Sequence, residues 1–245
     1  MTRSSAVGKP SGNPIPPDQV TRLFDRIAPV YDLMNTVMTA GLDARWRRAA
    51  IEVAGLAPGM RVLDVACGTG LLTRAAGLAV APGGEVLGID LSAQMLARAR
   101  RRREAGGVAV HYKRADALHL PVGDASFEVV MVGFGLRNLS DYGVGLAEMS
   151  RVLVPGGRLV VLEIAEPAGG VGLLLYRGWF QRMVPLLGRM LRRGAAYRYL
   201  PDSLRRYPGP EAIAELLRNA GLGQVTWRRL SSGMATLHVG TREAA

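Results

Sequence analysis

Five short apolar runs, at 61–65, 85–90, 109–113, 127–132 and 158–163, alternate with segments of helical period at 71–80, 92–104 and 141–152. Strands buried on both faces are apolar nearly throughout, and a chain returns to the same edge of a parallel sheet only through a long crossover, commonly a helix. The expected fold class is therefore α/β, with a doubly wound, Rossmann-like sheet. Near the C-terminus, apolar runs at 225–230 and 236–240 flank Ser231-Ser232-Gly233, a hairpin signature. Five parallel strands and this antiparallel hairpin make a mostly parallel seven-stranded sheet.

Upstream of the first strand, Val20, Leu23, Phe24 and Ile27 recur at three-and-four spacing, and a second amphipathic stretch covers 43–54, so helices precede the sheet. Residues 1–17 hold Pro10, Pro14, Pro16, Pro17 and three serines, a composition that cannot bury a core. A disordered leader is expected there, followed by one domain over 18–245. Between the fifth strand and the hairpin an inserted helical cap is expected at about 168–210.

The first strand runs into Asp64-Val65-Ala66-Cys67-Gly68-Thr69-Gly70, and the second ends at Asp90, twenty positions after Gly70. An open parallel sheet builds a nucleoside site from such elements at its carboxyl edge. Gly68 and Gly70 permit a tight turn and close backbone approach, and Asp90 can accept hydrogen bonds from both ribose hydroxyls. Asp116, in Ala115-Asp116-Ala117 after the third strand, is placed to accept from an adenine amino group. Thr73 stands where a dinucleotide site usually has Gly or Ala for close helix packing, which argues against NAD. A lone Gly-x-Gly marks only a strand-to-helix bend. The ordered set of acids and glycines at successive strand ends is what marks a site.

The 31 basic residues exceed the 20 acidic ones by 11, yet all but Lys9 and Lys113 are arginine. A G+C-rich coding sequence accounts for that skew more simply than nucleic-acid binding does. The single cysteine, Cys67, excludes an intramolecular disulfide and the usual thiolate zinc cages, and His111, His119 and His238 lack metal-ligand spacing. No apolar run approaches the roughly 18–20 residues of a membrane span. A cytoplasmic protein using no metal is expected. From Pro167 to Leu200 there are six arginines, among them Arg189, Arg192 and Arg193, no acid, and many large apolar residues. That stretch suits a lid over a hydrophobic pocket, a peripheral contact with anionic lipid, or a homodimer face.

The chain resembles the class I S-adenosylmethionine-dependent methyltransferases, and more closely the ubiquinone/menaquinone biosynthesis C-methyltransferase family. The resemblance rests on Tyr31-Asp32-Leu33-Met34-Asn35, Trp46, the 64–70 run, Phe134-Gly135-Leu136-Arg137-Asn138, Arg151-Val152-Leu153, Pro155-Gly156-Gly157-Arg158 and Tyr197-Arg198-Tyr199-Leu200, and extends from about Val20 to Arg242. It implies S-adenosyl-L-methionine as cofactor, held by Asp64, Gly68, Thr69, Gly70, Asp90, Leu91, Asp116, Ala117 and Gly133. It also implies methyl transfer to a ring carbon of a hydrophobic aromatic or prenylated quinol, with demethylmenaquinol as the leading acceptor. Catalytic roles fall to Arg137, Asn138 and Tyr31. Arginine is too basic to serve readily as a proton acceptor, so stabilisation of a developing phenolate is the role expected of Arg137. A pairing with a surface carboxylate such as Asp141 is the structural alternative.

The chain has Thr39, Asp43, Cys67, Val154 and Ala165 where the family pattern usually has Ser, His, Gly, Lys and Ser. These departures sustain a rival reading, a specialised-metabolite O-, N- or C-methyltransferase acting on a small aromatic or polyketide-like scaffold. A nucleic-acid methyltransferase would often carry an Asn/Asp-Pro-Pro-aromatic run after the fourth strand, where Gly133-Phe134-Gly135 stands instead. A non-catalytic cofactor-binding partner protein is a third reading, distinguished by binding without turnover.

Overall fold

The computed structural model describes residues 12–102, 109–167 and 203–243, with 169, 173, 178 and 199 described singly. Seven strands form one sheet: β1 (Arg61–Val65), β2 (Glu85–Asp90), β3 (Ala109–Arg114), β4 (Phe127–Gly133), β5 (Leu153–Ile164), β6 (Leu222–Leu230) and β7 (Ala235–Arg242). Their order is β3-β2-β1-β4-β5-β7-β6. The first five are parallel, and β7 lies antiparallel between β5 and β6. The chain leaves β1 toward β2 on one side and reaches β4 on the other. That reversal opens a crevice at the strands' carboxyl ends.

Alternation along the central strands divides the core. Val62, Val129, Met131, Val160 and Leu162 face α3 (Leu42–Ala54) and α4 (Leu71–Val80), where they meet Trp46, Ala50, Leu72 and Ala76. Leu63, Val65, Val130, Val132 and Leu159 pack on the other face with Tyr142, Leu146 and Met149 of α6 (Tyr142–Arg151) and Ile213 and Leu217 of α7 (Pro210–Asn219). Fully burying each such side chain contributes about 1.5–3 kcal/mol.

Helix ends are set by local chemistry. Ser92 caps α5 (Ala93–Arg101) by accepting from the Met95 N–H, Asp141 caps α6 by accepting from the Val144 N–H, and Pro210 occupies the first turn of α7. Before the sheet, α1 (Pro17–Ile27) and α2 (Tyr31–Met38) bury Ile27, Met34 and Met38 against Met95.

Three departures from expectation go beyond a shifted strand or helix end. β5 begins at Leu153 rather than 158: Leu153 pairs with Phe127 and Arg158 with Val129, so Pro155-Gly156-Gly157 forms a bulge within the strand. β6 begins at Leu222 and shifts register between Gly223 and Thr226, with Gln224 at φ 48°. Residues 12–17 belong to the fold, not to a leader. Asn13 is buried and its N–H donates to the Leu139 carbonyl at 2.7 Å, while α1 starts at Pro17. Residues 1–11 and most of the expected cap, including Arg189, Arg192 and Arg193, lie outside the described residues.

Candidate cofactor and acceptor site

The turn after β1 is built from positive-φ residues, Ala66 (54°), Gly68 (56°) and Gly70 (77°), which fold the chain back to start α4. A Cβ on Gly70 would fall 2.5 Å from the Tyr112 hydroxyl oxygen and 3.1 Å from Ala99 Cβ, so packing behind the loop demands glycine there. A Cβ on Gly68 would meet only the Tyr31 ring edge, at 3.9 Å, because this glycine faces the cleft.

Asp90 ties the two strand ends together. Its Oδ2 accepts from the Gly68 N–H and its Oδ1 from the Ser92 N–H, both at 2.8 Å. Burial pushes its carboxyl above the usual range, with neighbouring Asp25 adding to the rise and the backbone donors opposing it. Asp116 accepts from the Leu118 N–H at 2.9 Å through Oδ1 alone, which leaves its other oxygen available. Asp64 stands one layer deeper, 1% exposed, with its Oδ2 accepting from Thr73 Oγ1 at 2.6 Å. Burial raises its carboxyl to about 7, with Asp90 adding to the shift and Thr73 opposing it. Cys67 is buried, and burial pushes its thiol well up, so it is no reactive thiolate.

A cleft of about 770 Å³, open mouth included, runs over these groups. Gly68, Asp90, Leu91, Asp116 and Ala117 line it together with Tyr31 and Asn138, and α1 contributes Val20, Thr21 and Phe24. Thr69 and Gly133 line an adjoining cleft of about 390 Å³. The expected site residues are thus brought together, with Asp64, Gly70 and Arg137 behind the walls rather than on them.

Arg137, in the 3₁₀ turn Leu136–Asn138 after β4, does not pair with Asp141, which caps α6 instead. Its Nη1 donates to the Phe134 carbonyl at 2.8 Å and to Glu163 Oε1, and its backbone N–H donates to Glu163 Oε2 at 3.2 Å. Burial opposes the charge of Arg137, but Glu163, Tyr31 and Tyr199 together outweigh it and the guanidinium stays protonated. Arg137 in turn opposes the rise that burial imposes on the Tyr31 hydroxyl. Asn138 Oδ1 accepts from the Tyr199 hydroxyl at 2.8 Å, and Tyr199 Oη accepts from Asn13 Nδ2 at 2.7 Å.

Four carboxylates and amides of the site were not foreseen. Glu163, the one acid in the apolar run of β5, carried a visible signal. Asp25 accepts from Ser92 Oγ at 2.6 Å, and Asp32 accepts from Thr69 Oγ1 at 2.6 Å and pairs with Arg102, so α1 is fastened to the turn after β2 and α2 to the turn after β1. On an amphipathic helix such acids look like a solvated face. Asn13 lies in a proline-rich stretch and gave no signal.

A model of the ubiE/COQ5 methyltransferase family matches residues 15–242. The chain belongs to this family. It is 46% identical to a demethylmenaquinone methyltransferase of Thermus thermophilus, an alignment covering 90% of this chain and 100% of that protein. It is 40% identical to a ubiquinone/menaquinone biosynthesis C-methyltransferase of Ectopseudomonas mendocina, over 92% and 89% of the two chains. Among solved structures, the [4+2]-cyclase SpnF superposes with a TM-score of 0.70 at 21% identity, covering 96% of this chain and 100% of that one. A SAM-dependent methyltransferase from Aquifex aeolicus gives 0.61 at 17%, covering 93% and 99%. At such identities the structures establish the class I fold alone, and a cyclase on that fold shows that the architecture does not choose the reaction. Family membership does. This member of the ubiE/COQ5 family is an S-adenosylmethionine-dependent methyltransferase.

The donor set suits that cofactor. Asp90 and Asp116 keep free lone pairs of the kind that ribose hydroxyls and an adenine amino group would need, Ile89, Leu91 and Leu139 form apolar walls, and Gly68 leaves open the space a Cβ would fill. No helix among the described residues is long and apolar enough to cross a membrane.

Proposed function

We propose that this enzyme methylates a ring carbon of a quinol and that its acceptor is demethylmenaquinol. The observation that carries this reading is the near-full-length likeness to a demethylmenaquinone methyltransferase. A cleft bounded by Phe24, Tyr31, Phe134 and Asn138 supports it, because an apolar opening edged by a few polar groups suits an aromatic ring bearing hydroxyls.

When bound, the cofactor supplies an activated methyl group as an electrophile. The residues of the chain then have three tasks. Asp90, Asp116, Leu91 and Ala117 hold the nucleoside, and the 66–70 turn fixes its direction. Tyr31 and Asn138 orient the quinol hydroxyls, with Tyr199 holding the Asn138 amide by its oxygen and Phe134 accepting from one amide N–H, so that the second N–H is the group left to donate. The buried positive charge of Arg137 favours ionisation of a neighbouring hydroxyl, which raises electron density on the ring carbon. The ring proton lost after transfer leaves through water.

The arginine-rich segment at 167–200 adds a proposed peripheral contact with anionic lipid, fitted to a lipid-tailed acceptor. The test of the main reading is incubation with labelled S-adenosylmethionine and chemically reduced demethylmenaquinone, followed by fragmentation of the product. Label on the ring carbon is expected. Label on oxygen, or turnover only with small unprenylated scaffolds, would overturn the quinol assignment.

A further inference from the structure

The two clefts meet at Tyr31, Ala66, Gly68 and Phe134, which line both. With a nucleoside at Asp90 and Asp116, anything attached to the ribose 5′ carbon must cross this shared stretch. It enters the smaller cleft, whose far wall is α2, α3 and the start of α4.

Among the described residues, Arg47 is the only basic residue lining that cleft, and Asp32 the only acid. Asp32 is already committed, one oxygen to Thr69 and the other to Arg102. Arg47 is committed along one edge: its Nη2 meets Asp43 Oδ2 at 2.7 Å, one helical turn back on α3. A guanidinium carries five N–H groups in a fixed fork. The remaining N–H groups of Arg47 have no protein partner among the described residues, and its side chain is 16% exposed, toward the cleft.

Asp43 is held in turn. Its side chain is 3% exposed, and its Oδ1 accepts from Thr39 Oγ1 at 3.1 Å. Thr39 and Asp43, two of the departures from the family pattern, therefore act together as a brace behind Arg47. They reach the smaller cleft only through Arg47, and neither is among the residues that line the larger one.

We propose that Arg47 binds the α-carboxylate of the methionine end of the cofactor, and that Asp43 and Thr39 are positioning residues that aim it. This rests on the nucleoside reading of the larger cleft. A carboxylate is the group that a guanidinium fork matches with two parallel hydrogen bonds. Asp43 occupies one edge of the fork and leaves the other for the ligand. The pair thereby selects cofactors that carry the amino-acid carboxylate over fragments that lack it.

The test is calorimetry on the folded enzyme with S-adenosylhomocysteine and with 5′-methylthioadenosine, which shares the nucleoside and sulfur but lacks the amino-acid end. In wild type, S-adenosylhomocysteine should bind more tightly. In Arg47→Gln its affinity should fall about tenfold to a hundredfold, the value of charge-assisted bonds, while 5′-methylthioadenosine stays within about twofold. Arg47→Lys should recover part of the loss, and Asp43→Asn should weaken S-adenosylhomocysteine alone. Equal weakening of both ligands in Arg47→Gln, or no weakening of either, would overturn the role of Arg47 while leaving the nucleoside site standing. If wild type binds neither ligand, the nucleoside reading fails and this proposal falls with it.

Discussion

The guanidinium of Arg137 and the carboxylate of Glu163 form an ion pair inside the fold, their side chains 4% and 0% exposed. Removing one partner from such a pair strands the other, at about 3–5 kcal/mol, whereas replacing both with apolar groups is often neutral. Arg137→Ala and Glu163→Ala should each lower the melting temperature sharply. The double variant Arg137→Met, Glu163→Leu should regain most of it. If the charge of Arg137 serves the acceptor, turnover stays lost in the refolded double variant while S-adenosylhomocysteine affinity changes only a few fold. Recovered turnover there would reduce the pair to a structural brace.

Asp90→Ala removes the acceptor for the Gly68 and Ser92 N–H groups and, on the proposed cofactor placement, for two ribose hydroxyls. At about 1.5–3 kcal/mol for each bond to a charged group, S-adenosylhomocysteine affinity should fall at least about a hundredfold. Calorimetry reads this directly. Near wild-type affinity in a folded variant would displace the nucleoside from the assigned cleft.

Asp64 makes stability fall with pH. Its carboxyl rises from an ordinary 3.8 to about 7 in the fold. Between those values the native state holds a proton that the unfolded chain has released, so the stabilising contribution is full below pH 3.8 and lost as pH climbs through 7. Asp64→Asn keeps an acceptor for Thr73 and abolishes the titration. The stability of wild type relative to this variant should therefore drop steadily from pH 5 to pH 8, by a few kcal/mol in denaturant melts. A constant difference across that range would show that Asp64 is ionised throughout.

The contrast between Asp90 and Glu163 explains what was legible in the chain. β1, β2 and β4 were visible because strands covered on both faces must be apolar nearly throughout, and Asp90 was visible because it stands where such a run ends. Glu163 also ends its apolar run, but its partner comes from another strand end 26 residues away, and no local period reveals that. Pro155-Gly156-Gly157 has turn composition, yet the flanking register carries it as a bulge within β5. Asn13 is held by Leu139 and Tyr199, contacts that depend wholly on tertiary packing.

Tyr199→Phe tests the acceptor side without touching the nucleoside. The change deletes the hydroxyl that donates to Asn138 Oδ1 and accepts from Asn13 Nδ2, leaving the Asn138 amide with only its long bond to the Phe134 carbonyl. Loss of about 1 kcal/mol of orientation corresponds to a several-fold drop in kcat. S-adenosylhomocysteine affinity should be unchanged. Steady-state kinetics with saturating cofactor separates the two, and an unaltered kcat would show that Asn138 needs no support from Tyr199.

The arginine-rich segment carries the last expectation. Its six arginines and absence of acids at 167–200 give a locally uncompensated positive charge, interleaved with Leu173, Trp179, Phe180 and Leu187. Each basic side chain near an anionic bilayer contributes about 1 kcal/mol, and salt screens the attraction within roughly 10 Å at 0.1 M. A quinol with a prenyl tail resides in the bilayer, so an enzyme that collects it gains from transient residence at the surface. Co-sedimentation with anionic vesicles should be strong at low ionic strength and weak at high, and changing Arg189, Arg192 and Arg193 together to Gln should reduce it while leaving turnover of a detergent-solubilised acceptor intact. Absence of binding even at low salt would reassign the segment to a lid or to contact between two copies of the chain, which sedimentation velocity then distinguishes by mass.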